Sequence, residues 1–206
     1  MSSAYFAPIQ WYQKLYRSER VYVEQHDSFI KQTYRNRCVI ATANGPQTLT
    51  VPVVAVAPGH AGRDILISDH GNWRHVHRQA LISAYGESPF FEFYADDILP
   101  FFHERWERLY DFNIAITRKI CELLDIQTDI RTTTDYLPPG HHVTATPQTD
   151  TITDYRDTIR PKHPLPDDDF TPQRYYQVYQ HRHGFLPNLS ILDLLFNMGN
   201  ESLLFL

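Results

Sequence analysis

The sequence predicts an α/β fold, a mixed sheet of about six strands with about five helices in a single domain, and three observations carry that expectation. Apolar residues recur at helical spacing in several stretches. Short β-branched and aromatic runs, bounded by turn residues, lie between them. Hydrophobic residues make up 42% of a 206-residue chain, enough to fill a sizeable core at that length. Aromatic residues reach 14%, so the core should be rich in rings whose phenol hydroxyls need partners.

Residues 3–7 suit a short strand, and Pro8 suits the first turn of a helix running to about Tyr16. Arg20 to Glu24 alternates as a strand does. Arg37 to Ala43 and Gln47 to Val54 are β-rich runs around Asn44-Gly45-Pro46, a hairpin signal. Asp64 to Ser68 gives another short strand. Trp73, Val76, His77, Ala80, Leu81 and Ala84 share one face of a helix from about Asn72 to Tyr85, ended by Gly86 and Pro89. Phe90 to Asp97 is aromatic and helical. Leu109, Phe112, Ile116, Ile120 and Leu123 form the stripe of a long helix from about Phe101 to Leu124. Thr128 to Thr132 and Tyr175 to Gln180 read as strands.

Ser190 to Met198 is apolar nearly all round and should be a buried helix. Ser190 and Asp193 fit the S-x-x-D capping box at its start, and Gly199 fits its end. The segment from Thr133 to Gln173 is different in kind. It holds seven prolines, many Thr and Asp, and no apolar periodicity. So long an irregular stretch is expected to wrap over the domain or act as a lid.

A net charge of −5 with scattered Lys and Arg lacks the basic footprint that nucleic acid needs, so no nucleic-acid partner is expected. No apolar run approaches the roughly 20 residues of a membrane span. No signal segment is visible at residues 1–7, and a cytoplasmic location is expected. Cys38 and Cys121 have no metal-type spacing and read as buried free thiols. The paired histidines at 75 and 77, 141 and 142, and 181 and 183 lack the carboxylate or cysteine spacing of a zinc site, so no metal is expected. Serine-hydrolase, P-loop and dinucleotide fingerprints are missing, and no cofactor is assigned.

Several groups can carry chemistry. Lys31, Arg35, Asn36 and Arg37 gather three cations and an amide within seven positions. Such a cluster can hold a phosphate or carboxylate, or it can be a solvated basic turn. Glu24 and His26 share a strand face, as an acid–base pair or as surface charges. Arg74 and Arg78 lie one helical turn apart and can reach one anion, though a solvated helix face explains them as well. Asn113 falls on the apolar stripe of the long helix, as a structural tie or as a ligand contact.

Five stretches, YFAPIQWY at 5–12, VYVEQHDSFIKQTYRNR at 21–37, TVPV at 50–53, WRHVHRQALISAYG at 73–86 and GFLPNLSILDLLFNMG at 184–199, together resemble the WbqC-like family. The resemblance covers about residues 4–130 and 175–200. It implies a place in bacterial surface-polysaccharide gene clusters and transfer of a small acyl or aminoacyl group onto an activated sugar. The alternative is a non-catalytic component that binds sugar or protein. The family's K-x-[ST]-[WY]-x-N-R pattern falls on Lys31 to Arg37, and its S-A-Y on Ser83 to Tyr85. His26 and the Pro/Thr segment depart from the family pattern. The expected substrate-binding set is Lys31, Asn36, Arg37, Arg78, Tyr85 and Asn113, facing an anionic small molecule such as a nucleotide sugar.

Overall fold

The computed structural model describes residues 1–55, 59–139 and 152–206. Among these it holds six helices and four strands, in the order α1 (Ile9–Tyr16), β1 (Arg20–Val23), β2 (Arg37–Thr42), β3 (Gly45–Thr50), α2 (Trp73–Tyr85), α3 (Phe91–Ile98), α4 (Leu109–Leu123), β4 (Asp129–Thr132), α5 (Gln180–His183) and α6 (Ile191–Met198). Short 3-10 turns follow α3, at Leu99–Phe102, and α6, at Gly199–Phe205.

The six-stranded sheet is overturned. The four strands form two separate pairs, β1 parallel to β4 and β2 antiparallel to β3. Each missing strand has a local reason. Phe6 takes a φ of +40° and turns the chain, seating its ring against Phe101 and Phe102. Residues 64–68 make only single bridges, Ile67 with Val53 and Leu66 with Arg108. Among the described residues, 175–180 pair with no strand. Instead, the Gln177 side chain accepts from Leu186 N at 2.9 Å and donates to Leu186 O at 2.9 Å, doing for one residue what a ladder would do for several.

The long helix also begins later than the spacing predicts, at Leu109. The Glu107 carbonyl accepts from Ile67 N at 2.9 Å, so the backbone before α4 is engaged sideways and cannot also run along a helix. The β2–β3 hairpin turns on Ala43–Asn44, with Thr42 opposite Gly45. Gly45 has a φ of +101°, a conformation that a side chain would strain.

α6 is the centre of the core. Residues 191–196 are buried throughout, and Ser190 caps the helix, accepting from Leu192 N at 3.3 Å while donating to Phe6 O at 2.8 Å. The backbone beside it is clamped by Ile9 N to Leu189 O and Ile191 N to Ala7 O, both 2.9 Å. The second half of the capping box does not form: the Asp193 carboxylate points into a cage of two tyrosines and a glutamine instead. Cys38 and Cys121 are buried free thiols, and burial pushes both thiol pKa values up, away from the reactive thiolate.

Among the described residues of 133–173 there is no helix or strand, yet the segment is firmly attached. Lys14, on α1 and only 4% exposed, meets Asp167 at 2.8 Å, and Gln10 donates to the same carboxylate at 2.8 Å. The Lys14 ammonium also lies 5.2 Å from the Tyr155 ring centroid. Arg156 grips Asp154 and approaches Glu24 at 3.8 Å. Buried charges are tolerated only when paired in this way. We call residues 152–173 the strap.

Candidate functional site

A cavity of about 400 Å³ opens between residues 1–4, the loop 27–35 and the strap at 155–162. Pockets for small molecules occupy roughly 300–1,000 Å³. The loop leaves β1, doubles back at Gln32, whose φ is +63°, and enters β2. It is pinned by Tyr5 N to Tyr34 O at 2.9 Å and by Val51 N to Asn36 O at 2.8 Å. Across the cavity, Lys162 on the strap donates to Gln32 Oε1 at 3.1 Å. Two distant parts of the chain thus make one wall each.

Five cations, Lys31, Arg35, Arg156, Arg160 and Lys162, line the cavity against two carboxylates, Asp27 and Asp157. Trp11, Tyr34, Tyr136 and Tyr155 supply rings. Arg35 and Asp27 form a close ion pair. Burial raises the Asp27 pKa while Arg35 pulls it down, and the net direction is up. The other Asp27 oxygen, Oδ1, is buried without a partner. Burial likewise raises the Tyr34 phenol. Burial would also raise Glu24, but the amides of Leu137 and His26, the Thr133 hydroxyl and Arg156 together bring its pKa below the usual range.

Glu24 and His26 do not form an imidazole–carboxylate pair. Glu24 Oε1 accepts the backbone N–H of His26 at 2.6 Å, while the His26 ring meets the Thr133 carbonyl at 3.2 Å. Both serve to hold residue 133 beside β1.

Of the six residues expected from the sequence, Lys31 lines the cavity and is exposed. Asn36 is buried and donates to Val51 O at 3.0 Å. Asn113, fully buried on α4, donates to Arg35 O at 2.7 Å, directly behind the cavity. Tyr85 is buried at the end of α2, donating to Asp193 Oδ1 at 3.0 Å. Arg37 opens β2 opposite Thr50, whose backbone meets the ring of His77, the residue preceding Arg78. Each of these two arginines has a buried Nε–H without a partner, and neither lines the cavity.

The lining residues Asp27, Tyr34, Arg156, Arg160 and Lys162 lie outside the expected set. Asp27 and Arg35 stand eight apart around a turn, a spacing with no periodic signature. The strap residues sit in an aperiodic stretch, where only a fold can reveal that Lys162 faces Gln32.

Fold and cavity define a mixed helical protein whose irregular strap walls a cation-rich, ring-lined cavity. The chain belongs to the WbqC-like protein family, whose model matches residues 3–204. That match runs through the strap, beyond the two stretches in which the motifs lie. The uncharacterized Mycobacterium tuberculosis protein Rv1507c is 30% identical over 190 residues, spanning 84% of this chain and 81% of that protein. No solved structure matches the chain. Among the described residues, no helix is long and apolar enough to cross a membrane, and no group of three or more His, Cys, Asp or Glu could hold a metal ion.

Proposed function

We propose that this protein is a transferase of bacterial surface-polysaccharide biosynthesis that binds an activated, anionic sugar in the cavity and transfers a small acyl or aminoacyl group. The observation carrying this reading is the lining: five cations against two carboxylates, interleaved with four aromatic rings. Rings offer flat apolar faces for a sugar, and the cations complement phosphate. Among the described residues Lys31 meets no carboxylate, and Lys162 meets only the neutral Gln32, so both ammonium groups are available to a diphosphate. Asn113 and Asn36 act from behind, holding the loop. Arg37 and Arg78 have their Nε–H groups buried, so only their Nη groups are candidates for a further anion contact.

Calorimetry with nucleotide-diphosphate sugars against the free neutral sugars tests this reading. Wild type should bind the nucleotide sugar and lose affinity as salt rises. Lys31→Ala with Lys162→Ala should weaken binding about tenfold or more. Equal binding by the double variant, or preference for the neutral sugar, refutes the anionic substrate. Binding with no acyl or aminoacyl transfer onto the sugar from any supplied activated acyl or aminoacyl donor would favour a non-catalytic sugar-binding component.

A further inference from the structure

Arg35 is 8% exposed, yet it lines the cavity. A guanidinium carries five N–H donors, and this one engages a single nitrogen, Nη2, on Asp27 Oδ2. Its other two nitrogens are not sealed away from space without partners, whereas the Nε atoms of Arg37, Arg74 and Arg78 are. The free donors of Arg35 therefore meet open space, and the open space against Arg35 is the cavity. The Nε–H groups of the other three arginines are shut against protein.

The group is also held still. Asn113 Nδ2 binds the Arg35 carbonyl at 2.7 Å, the preceding carbonyl accepts from Tyr5 N at 2.9 Å, and Asp27 holds one side of the fork. A nearly buried, immobilised guanidinium with donors left over beyond its Asp27 pair is set to bind the acceptor atoms of a ligand. The planar fork matches two oxygens of one oxyanion, which a lysine ammonium cannot do.

We propose that Arg35 is the inner anchor of the cavity, gripping an oxyanion of the ligand, a phosphate or a carboxylate, through two N–H groups while Asp27 positions the guanidinium. This rests on the anionic-ligand reading above and assigns its recognition to Arg35, deep in the cavity, with Lys31 and Lys162 at the exposed walls.

The test uses inorganic pyrophosphate and malonate as probes, titrated by calorimetry into wild type and Arg35→Lys. At least one probe should bind wild type, and Arg35→Lys, which keeps the charge but loses the fork, should bind it tenfold or more weakly. Preference for pyrophosphate makes the anchored group a phosphate, and preference for malonate makes it a carboxylate. In wild type, the Arg35 Nε–H resonance, assigned through its own spin system, should shift on titration; this readout does not depend on the variant folding. Failure of both probes to bind, equal affinity of the variant, or an unmoved resonance overturns the proposal. Nucleotide-sugar binding that persists unchanged in Arg35→Lys removes the anchor and leaves the anionic-sugar reading standing. A probe held on Arg35 without any nucleotide-sugar binding does the reverse.

Discussion

Removal of one hydroxyl, in Tyr85→Phe, separates a structural role for this tyrosine from a ligand contact. Its hydroxyl donates to Asp193 Oδ1 at 3.0 Å and accepts from Ala41 N at 3.3 Å. Tyr175 and Gln177 hold the other carboxylate oxygen at 2.7 and 3.0 Å. Asp193 is fully buried, among the described residues no cation reaches the cage, and burial raises its pKa from 3.8 to about 6 in spite of the three donors. The folded carboxyl therefore keeps its proton to higher pH than the unfolded one. Between those two values the folded state binds more protons, so stability falls as pH rises toward 6 and is level above it. Ionising this carboxyl inside the fold thus costs about 3 kcal/mol more than ionising it in the unfolded chain. In Tyr85→Phe at pH 7.5 the ionised carboxylate loses a donor, at a cost of about 2–3 kcal/mol. At pH 5 the carboxyl is protonated, and the loss should shrink to about 1 kcal/mol. Urea unfolding of both proteins at the two pH values measures the difference. Equal losses at pH 5 and 7.5, or a loss below about 0.5 kcal/mol at pH 7.5, would show that Tyr85 does not support an ionised Asp193.

Lys14→Met should loosen the strap, because Asp167 loses its cation and Tyr155 its ammonium. A local loss of about 1.4 kcal/mol raises the open population tenfold, read as faster tryptic cleavage after Arg156 and Lys162; unchanged cleavage would mean that the strap is held elsewhere. Ser190→Ala should lower stability by on the order of 1–2 kcal/mol through loss of the cap and of the bond to Phe6 O, measured by urea unfolding. No change in midpoint would refute the capping role.

Helices proved legible where a stripe of apolar residues faces the core. α1, α2 and α6 lie within a residue or two of the expected boundaries, because a proline at a first turn, a spaced apolar stripe and a serine cap are all decided locally. Even there, Val76, which fits the α2 stripe, is 54% exposed. A strand needs a partner, and the partner is not local: β1 is completed by β4, with Arg20 opposite Asp129. The runs at 3–7, 64–68 and 175–180 have strand-like composition but meet a turn, single bridges and a glutamine amide. The site divides along the same line. Lys31 and Arg35 stand out as a charge cluster, while Asp27 is distinguished only by its ion pair, and Arg160 and Lys162 only by a strap that folds back onto the loop. Asn113 is visible as a polar residue on an apolar stripe, and its bond to the Arg35 carbonyl decides what it does.

The seam between the amino-terminal residues and α6 sets an order of assembly. Ser190 binds Phe6 O across 184 positions, and the neighbouring clamps at Ala7 and Ile9 also await residues 189–191. At synthesis rates of 5–20 residues per second, that interval is roughly ten to forty seconds. Throughout it, the backbone groups of Phe6, Ala7 and Ile9 that bond across this seam lack their partners, and contacts of this span slow folding further because the loop must close first. The amino-terminal seam is thus completed last, by the part of the chain that is made last.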